Sequence, residues 1–263
     1  MIPLVAFDGV TLRYGNRAGA TVAVENCTLD VPEGGIMALV GPSGCGKSTL
    51  LKLAAGLIEA SAGQARYRGS PICGPRGGVG MAFQNATLLP WRSVLKNVLL
   101  PLEVAASERA AYRADPAPYV ERARELLRLT GLSGFADRPP YELSGGMQQR
   151  TNLCRALVHR PEMLLLDEAF GALDSFTREE LWLALQELWM ERRFTVMLVT
   201  HDLREAVFLA DTVHVMSGRP GRIVKSRAID LPRPRRLDHS FTPEFTDIVH
   251  ELRAAVADAR TEA

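Results

Sequence analysis

The sequence predicts an α/β protein: a parallel sheet with helices, an antiparallel β subdomain at the N-terminal end, and an inserted α-helical subdomain. Three observations predict it. The early segments alternate apolar and polar residues, short apolar runs then alternate with helical patterns, and helical patterns alone dominate from about residue 85 to residue 159. We therefore expect one domain over 1–235 with its helical insertion at 85–159, followed by a linker and helix over 236–263.

The predicted strands lie in five segments. LVAFDGVTLRYG and TVAVENCTLDVPEG alternate in polarity and are broken by Gly and Pro, which is typical of antiparallel strands. IMALV at 36–40 is a continuous apolar run, which predicts a buried parallel strand. Two further strands are expected in MLLLD at 163–167 and FTVMLVT at 194–200.

Helices are predicted between and after these strands. STLLKLAAGL should form a helix that ends near Gly56, and YVERARELLRLTGL one that stops at Gly131. In TREELWLALQELWMERR, Thr177 and Glu180 have the spacing of a capping box, which predicts a helix start there. The Pro- and Arg-rich PRPRR segment is interpreted as a solvated linker, with contact to lipid headgroups as the alternative, and a last helix is expected over about 243–259.

Composition restricts the function. The 263 residues carry 31 basic and 30 acidic side chains, so the net charge of +1 offers no broad basic field for nucleic acid. No apolar run approaches the ~18 residues that span a bilayer, and the N-terminus lacks the pattern of a signal peptide. Cys27, Cys45, Cys73 and Cys154 form no CxxC pair, which favours reduced thiols in a cytosolic protein. We expect any membrane role to be peripheral.

The segment GPSGCGKST at 41–49 matches the phosphate-binding pattern G-x-x-x-x-G-K-[ST] in full. Glycines let backbone N–H groups wrap around phosphate oxygens. Lys47 would place a charge at the β- and γ-phosphates, Ser48 would offer its hydroxyl to Mg²⁺, and Cys45 would contribute its N–H. A chance Gly-rich turn is the alternative, which the preceding apolar strand and the following helix disfavour.

Two acids and a histidine follow predicted strands. Asp167 ends the MLLLD strand and is placed to hold Mg²⁺ through water, and Glu168 is the candidate general base. The alternative is that both acids only cap the next turn. His201 follows another strand, where an imidazole could sense the γ-phosphate. The other histidines are expected to be structural: His159, His214, His239 and His250.

A second anion-seeking feature lies in ELSGGMQQR at 142–150. One serine and two glycines open a predicted helix from Met147 onward. Such a start offers backbone N–H groups and the positive end of a helix dipole to an anion. The sequence thus predicts two phosphate-seeking helix starts in one chain.

Together these motifs resemble the ATP-binding subunits of ABC transporters. The resemblance runs from about Val5 to Pro232 and is carried by GPSGCGKST, Gln84 in MAFQ, LSGGMQQR, LLLDEAF, GALD and the histidine of VTHD, in the family's order and spacing. It implies a P-loop ABC ATPase core with ATP and Mg²⁺ as cofactors.

The resemblance also explains the two helix starts. In this family two ATPase domains pair head to tail, and each ATP lies between the Lys-loop of one subunit and the LSGG helix of the other. The residues implied to bind ATP in the same chain are Tyr14, Gly41, Pro42, Ser43, Gly44, Cys45, Gly46, Lys47, Ser48 and Thr49. Those implied to meet the partner's ATP are Ser144, Gly145, Gly146, Gln148 and Asp174. Gln84 is implied to meet Mg²⁺ and the water. Tyr14 would stack on adenine, the alternative being a partly buried sheet tyrosine.

Three further segments resemble the importer branch for nitrate, sulfonates, taurine and related small anions: NATLLPWRSVLKNVLLPLE, LDSFTRE and SGRPGRI. In this branch Leu88, Leu89 and Trp91 would receive a short helix from a transmembrane permease subunit. Ordinary packing within the helical insertion is the alternative.

The resemblance implies the ATP-hydrolysing subunit of a bacterial importer at the cytoplasmic face of the cell membrane. Its expected partners are a second copy of the chain, permease subunits and, indirectly, a solute-binding protein, with no nucleic acid. One alternative is a non-transport ABC ATPase acting in DNA repair, translation or cluster assembly. Another is an interaction module that binds nucleotide without turnover, which the presence of Glu168 and His201 disfavours.

Overall fold

The computed structural model describes residues 3–15, 20–171 and 173–261. The strands in these ranges are β1 (Val5–Tyr14), β2 (Thr21–Val31), β3 (Ile36–Val40), β4 (Ala62–Tyr67), β5 (Ser70–Pro71), β6 (Val79–Ala82), β7 (Met163–Asp167), β8 (Thr195–Val199), β9 (Thr212–Met216) and β10 (Ile223–Ala228). The helices are α1 (Lys47–Ala54), α2 (Val94–Val104), α3 (Ala106–Ala114), α4 (Ala117–Leu129), α5 (Gly145–Leu157), α6 (Ser175–Arg192), α7 (Leu203–Leu209) and α8 (Pro243–Thr261). The chain divides into two compact units: a first unit of 1–76 with 193–263, and a second unit of 77–192.

The first unit contains the antiparallel sheet that the N-terminal alternation predicts. Its strand order is β2-β1-β4-β5. Phe7 of β1 lies opposite Leu29 of β2 and Ala65 of β4, and all three side chains are buried. Because strand side chains alternate between faces, the apolar positions of β1 collect on one covered face of the sheet.

The first unit also contains parallel strands. β3 pairs in parallel with β8 on one side and β9 on the other, and β10 pairs antiparallel with β9. All five residues of β3 are buried, which explains why IMALV has no polar alternation. The α/β prediction is confirmed. β3 lies between β8 and β9, and the loop that follows it leads to α1.

In its described residues, the second unit combines one parallel strand pair with five α-helices, α2 to α6. β6 pairs in parallel with β7, with Ala82 opposite Leu166. The predicted helix YVERARELLRLTGL is α4, whose buried residues are Ala123, Leu126 and Leu127. Gly131 follows it with φ of +70°, so the predicted stop is also found.

The predicted capping box of α6 is wrong. The helix begins at Ser175, before Thr177. The Asp174 carboxylate accepts a hydrogen bond from the Thr177 N–H at 3.0 Å, so Asp174 is the N-cap and Thr177 occupies the third helical position. The Thr177 hydroxyl instead accepts a hydrogen bond from Nη2 of Arg150 at 2.9 Å. The better capping residue, three positions upstream, decides where the helix starts.

The interpretation of PRPRR as a solvated linker is wrong for two of its three arginines. Arg235 is 1% exposed, and Arg233 is also largely covered, whereas Arg236 is exposed. Arg235 donates hydrogen bonds to the carbonyl oxygens of residues 207, 208 and 210, and Arg233 to that of residue 209. These are the last carbonyls of α7, which have no partners within their own helix. The two arginines therefore cap α7.

Two further sequence expectations concern thiols and membranes. All four cysteines are free; Cys27, Cys45 and Cys154 are buried and Cys73 is exposed. Within the described ranges, no helix combines the length and the apolar character needed to cross a bilayer.

Candidate active site

The phosphate-binding pattern forms the loop between β3 and α1 in the first unit. Gly46 adopts φ of +102° directly before the helix begins at Lys47. A Cβ at Gly46 would lie 2.6 Å from Cγ2 of Val24 and 2.8 Å from the carbonyl oxygen of Ala23. Glycine is therefore required at this position by both backbone conformation and space. The N-terminus of α1, the positive end of its helix dipole, therefore lies directly after the glycine loop.

Lys47 is folded into this loop. Its side chain is 6% exposed, and Nζ donates hydrogen bonds to the carbonyl oxygens of Gly41 at 2.9 Å and Pro42 at 2.8 Å. The Cys45 thiol is buried, with Sγ 3.7 Å from Nζ. A phosphate in the loop would replace these carbonyl acceptors of Nζ with anionic oxygens, which bind an ammonium more strongly. Pro42, Ser43 and Gly44 complete the loop, and Ser48 and Thr49 lie in the first turn of α1.

Tyr14 lies at the end of β1 with its ring 45% exposed. Its hydroxyl is 3.4 Å from Oγ1 of Thr49, within hydrogen-bond distance of the first turn of α1. The exposed ring beside the phosphate loop is the arrangement that base stacking requires. The exposure of Tyr14 is less compatible with the alternative that this residue is a partly buried tyrosine of the sheet.

His201 is the second residue after β8, at the carboxyl end of that strand, and is exposed. The Asp202 side chain beside it caps α7 by accepting hydrogen bonds from the N–H groups of Arg204 and Glu205. Among the other histidines, Nδ1 of His214 lies 2.7 Å from Oγ of Ser226, and burial lowers the pKa of His214 to about 4. That ring is neutral at neutral pH, which suits a structural role.

The second unit brings two predicted site residues together at the carboxyl ends of β6 and β7. Ala82 of β6 is paired with Leu166 of β7. Gln84 and Glu168 each follow their member of this pair by two residues, so they lie at the same end of the two strands. Nε2 of Gln84 donates a hydrogen bond to Oε2 of Glu168 at 3.1 Å. Glu168 has φ of +48°, and such conformations in non-glycine residues concentrate at functional sites. Asp167 is the last residue of β7.

Helix α5 holds the backbone of the Gln84 segment, a role that sequence analysis missed. Nε2 of Gln149 donates to the carbonyl oxygens of Phe83 at 3.2 Å and Gln84 at 2.6 Å. Nδ2 of Asn152 donates to the Phe83 carbonyl at 2.9 Å, and Nη2 of Arg155 to the Ala86 carbonyl at 2.8 Å. The spacing i, i+3, i+6 places these three polar side chains on one face of the helix. This spacing is visible in the sequence and could have indicated that α5 holds another segment through these side chains.

The LSGG segment forms the predicted helix start, although α5 begins at Gly145, two residues before the predicted Met147. Ser144 is the N-cap, and its hydroxyl accepts a hydrogen bond from the N–H of Met147 at 3.3 Å. While it accepts this bond, the hydroxyl can also donate its own hydrogen. A Cβ at Gly145 would meet no described atom within 4 Å, so this side of the helix start is open. The Gln148 amide is turned back to its own loop, donating to the carbonyl oxygens of Pro140 and Leu143.

Asp174, the N-cap of α6, lies on the surface. Hydrogen bonds from Thr177 lower the pKa of the Asp174 carboxyl group. The bond from the Thr177 backbone N–H has the larger effect, and the bond from its side chain the smaller. The residue is therefore ionised at neutral pH and oriented by its own helix.

The turn at 88–93 presents a large aromatic side chain to solvent. Trp91 is 78% exposed, while Leu88 and Leu89 are half-buried. The turn is rigid because the buried Asn97 side chain accepts a hydrogen bond from the Leu89 N–H at 2.7 Å and donates to the carbonyl oxygens of residues 89, 92 and 93. Ordinary packing within the helical insertion therefore does not account for Trp91.

Comparison with known proteins places these features in one family. The family model described as ABC transporter matches residues 24–171. A taurine import ATP-binding protein TauB of Rhizobium johnstonii is 41% identical over 259 residues, covering 95% of each chain. A TauB of Burkholderia pseudomallei is 41% identical over 245 residues, covering 91% of each chain.

A solved structure agrees with these relatives. It is the dimeric, post-hydrolysis state of an ATP-binding cassette bound to ADP and Pi, with a TM-score of 0.74 and 30% identity, covering 87% of this chain and 100% of that one. The chain belongs to the ABC transporter family, has the P-loop ABC ATPase fold and is an ATP-binding subunit with ATPase activity. The predicted family, fold and enzyme class are confirmed.

Proposed function

We propose that this chain is the ATP-hydrolysing subunit of a bacterial importer for a small anion of the taurine and sulfonate type. Two copies close head to tail on ATP and open after hydrolysis, and separate permease subunits use that motion for uptake. The observation that carries the proposal is the hydrogen bond between Gln84 and Glu168 at the end of β7. This bond holds Glu168, the candidate general base, beside the Gln84 amide, which is suited to orienting water.

ATP is proposed to bind at the loop of 41–49 in the first unit. The loop offers N–H groups, the N-terminus of α1 and the Lys47 ammonium to phosphate oxygens, and the exposed ring of Tyr14 offers a stacking surface. This donor set has the chemistry that a triphosphate requires.

Mg²⁺ is proposed to be held by Ser48, Asp167 and Gln84 together with phosphate oxygens. Among the described residues, no group of three His, Cys, Asp or Glu side chains is arranged to hold a metal ion. Mg²⁺ keeps several waters and takes few carboxylate ligands, so we infer that it would bind together with the nucleotide. When bound, Mg²⁺ would neutralise charge on the β- and γ-phosphates.

In the proposed reaction, the Glu168 carboxylate accepts a proton from water as the water oxygen attacks the γ-phosphorus. The bond between that phosphorus and the β,γ-bridging oxygen breaks, releasing ADP and inorganic phosphate. Gln84 orients the water, and His201 contacts the γ-phosphate.

The shared site is proposed from the start of α5. Ser144, Gly145 and Gly146, with Gln148 and Asp174, meet ATP bound to the partner subunit. The open side of Gly145 and the remaining hydroxyl hydrogen of Ser144 support this assignment. Each half-site is incomplete alone, so ATP stabilises the dimer.

The transport role is proposed from the relatives and from Trp91. Relatives at 41% identity over most of the chain carry the name taurine import ATP-binding protein. The rigid turn that exposes Trp91, with Leu88 and Leu89, is the proposed permease contact, since large exposed aromatics are common interface anchors. The domain would cover 1–235, with its helical insertion at 85–159 and the C-terminal segment at 236–263, and would sit on the cytoplasmic face of the membrane. A solute-binding protein would act through the permease.

The test of hydrolysis is Glu168→Gln, which keeps the shape of the side chain and removes its basicity. We expect ATP binding to persist and phosphate release to fall about 100-fold or more, the usual contribution of a general base. Glu180→Gln on the exposed face of α6 is the matched control and should release phosphate at the wild-type rate. Wild-type turnover in Glu168→Gln would refute the assignment.

The test of transport is uptake of labelled taurine by cells that carry this chain and its permease. Deletion of the chain should abolish uptake, and the wild-type gene, but not Glu168→Gln, should restore it. A non-transport ABC ATPase would not co-purify with membrane subunits, and its deletion would leave the uptake of each labelled anion unchanged.

A further inference from the structure

Residues 217–222, SGRPGR, contact the phosphate loop, residues 41–49, within the first unit. The Arg219 guanidinium donates two hydrogen bonds to the carbonyl oxygen of Gly44, from Nε at 3.2 Å and from Nη2 at 3.1 Å. We propose that Arg219 is a positioning residue that aims a backbone N–H of the phosphate loop at the phosphates of ATP. The inference rests on the ATP site proposed at 41–49.

The geometry of the peptide group explains how a bond to a carbonyl can act on a phosphate. The Gly44 carbonyl and the Cys45 N–H belong to one planar, trans peptide, so they point in opposite directions. Arg219, which is exposed, holds the Gly44 carbonyl oxygen with its two hydrogen bonds. The Cys45 N–H therefore points away from Arg219, and we infer that it faces the bound phosphates.

The next peptide is restrained by close packing. A Cβ at Gly221 would lie 1.8 Å from the carbonyl oxygen of Cys45, so the backbone of 217–222 is in direct contact with this peptide. Only glycine leaves room for the Cys45 carbonyl there. Because the Gly46 N–H shares the plane of that carbonyl, Gly221 restrains a second donor of the loop.

Residues 217–222 are themselves anchored on two sides. Gly221 donates its N–H to the Ala23 carbonyl at 3.0 Å and accepts from the Glu25 N–H at 3.0 Å, which ties it to β2. The Gly218 N–H donates to the Ala259 carbonyl near the end of α8 at 3.0 Å. Arg219 therefore projects from a fixed backbone, and its two donors reach Gly44 with few alternative positions.

Arginine suits this role better than lysine. Its planar guanidinium presents neighbouring N–H groups in a fixed fork, whereas an ammonium on a flexible stem would make one less-directed bond. Arg219 is exposed, so solvent screens its charge. The orienting hydrogen bonds, more than the charge, should carry its effect.

The test is the Kd for MgATP, measured with fluorescent ATP, together with steady-state hydrolysis. We expect Arg219→Ala to raise the Kd and KM about fivefold, the effect of losing one hydrogen bond of ordinary net strength. Since the reacting groups are untouched, kcat should stay within about twofold of wild type. Arg219→Lys should give an intermediate Kd.

Arg222→Ala is the matched control, because this arginine of the same segment pairs with Glu25 and not with the phosphate loop. Its Kd should equal that of wild type. Equal Kd values for wild type and Arg219→Ala would overturn the proposal, as would equal losses in Arg219→Ala and Arg222→Ala, or a fall confined to kcat. Wild-type protein that fails to bind MgATP would instead refute the proposed ATP site.

Discussion

Replacing Arg235 with leucine removes a buried cap at the end of α7. The guanidinium donates to the carbonyl oxygens of residues 207, 208, 210, 229 and 231 at 2.6 to 3.4 Å, and so joins α7 to the chain that follows β10. Leucine fills part of the volume but leaves these buried carbonyls without that donor.

The expected loss follows from the two opposing terms. Five acceptors at about 1 kcal/mol of net hydrogen-bond free energy each give about 5 kcal/mol. Burial, followed by repulsion from Arg233, lowers the pKa of Arg235 to about 10, so the cation also bears a desolvation cost that leucine removes. We expect the free energy of unfolding to fall by about 3 kcal/mol, which lowers the Tm by about 8 °C in a protein of this size.

Urea titration and thermal melts followed by circular dichroism measure both quantities. Arg236→Leu, at the neighbouring exposed position, is the control and should change the unfolding free energy by no more than about 0.5 kcal/mol. If Arg235→Leu melts within about 1 °C of wild type, the reasoning that α7 depends on this cap is refuted.

Three further predictions concern the surface, the nucleotide and pH. Trp91→Ala should leave the ATPase of the isolated subunit intact but weaken assembly with tagged permease by ~2 kcal/mol; unchanged assembly with lost ATPase would make Trp91 a structural residue. Tyr14→Ala should raise the Kd for ATP and the Kd for GTP by similar factors, because stacking accepts any purine face; unchanged Kd values in the variant would exclude stacking. The pKa of His214 is about 4, below its ordinary 6.5. The contribution of this neutral ring to the free energy of unfolding is therefore fully present above about pH 6.5 and is lost as the pH falls toward 4. His214→Gln should therefore lose less stability than wild type between about pH 7 and about pH 5 in urea titrations; equal losses would assign the acid sensitivity elsewhere.

The motifs predicted those parts of the site that depend on short-range pattern. An apolar strand, a glycine loop and Lys47 are adjacent in sequence, so their local geometry follows from the pattern. The resemblance implied that Gln84 meets Mg²⁺ and the water, but not its hydrogen bond to Glu168, which depends on the parallel register of β6 and β7.

The contacts that sequence analysis missed join polar side chains to distant backbone carbonyls. Arg219 and Gly44 are 175 residues apart, and Arg235 is 25 to 28 residues from the carbonyls of α7. The hydrophobic period and the local capping pattern carry no information about contacts between an arginine and a distant carbonyl. Such a contact depends on which carbonyl the packed elements bring within reach of the arginine. The same reason explains why Arg233 and Arg235 resembled a solvated linker.

We propose that ATP is shared between two copies of this chain, and the mass of the nucleotide-bound protein is the direct test of that sharing. Glu168→Gln should bind ATP without cleaving it, and light scattering after gel filtration should then show a dimer with ATP and a monomer without it. Adding Ser144→Arg blocks the start of α5 and leaves the Lys47 loop unchanged. We predict that this double variant still binds fluorescent ATP yet stays monomeric. A double variant that dimerises with ATP as the single variant does would contradict the shared site.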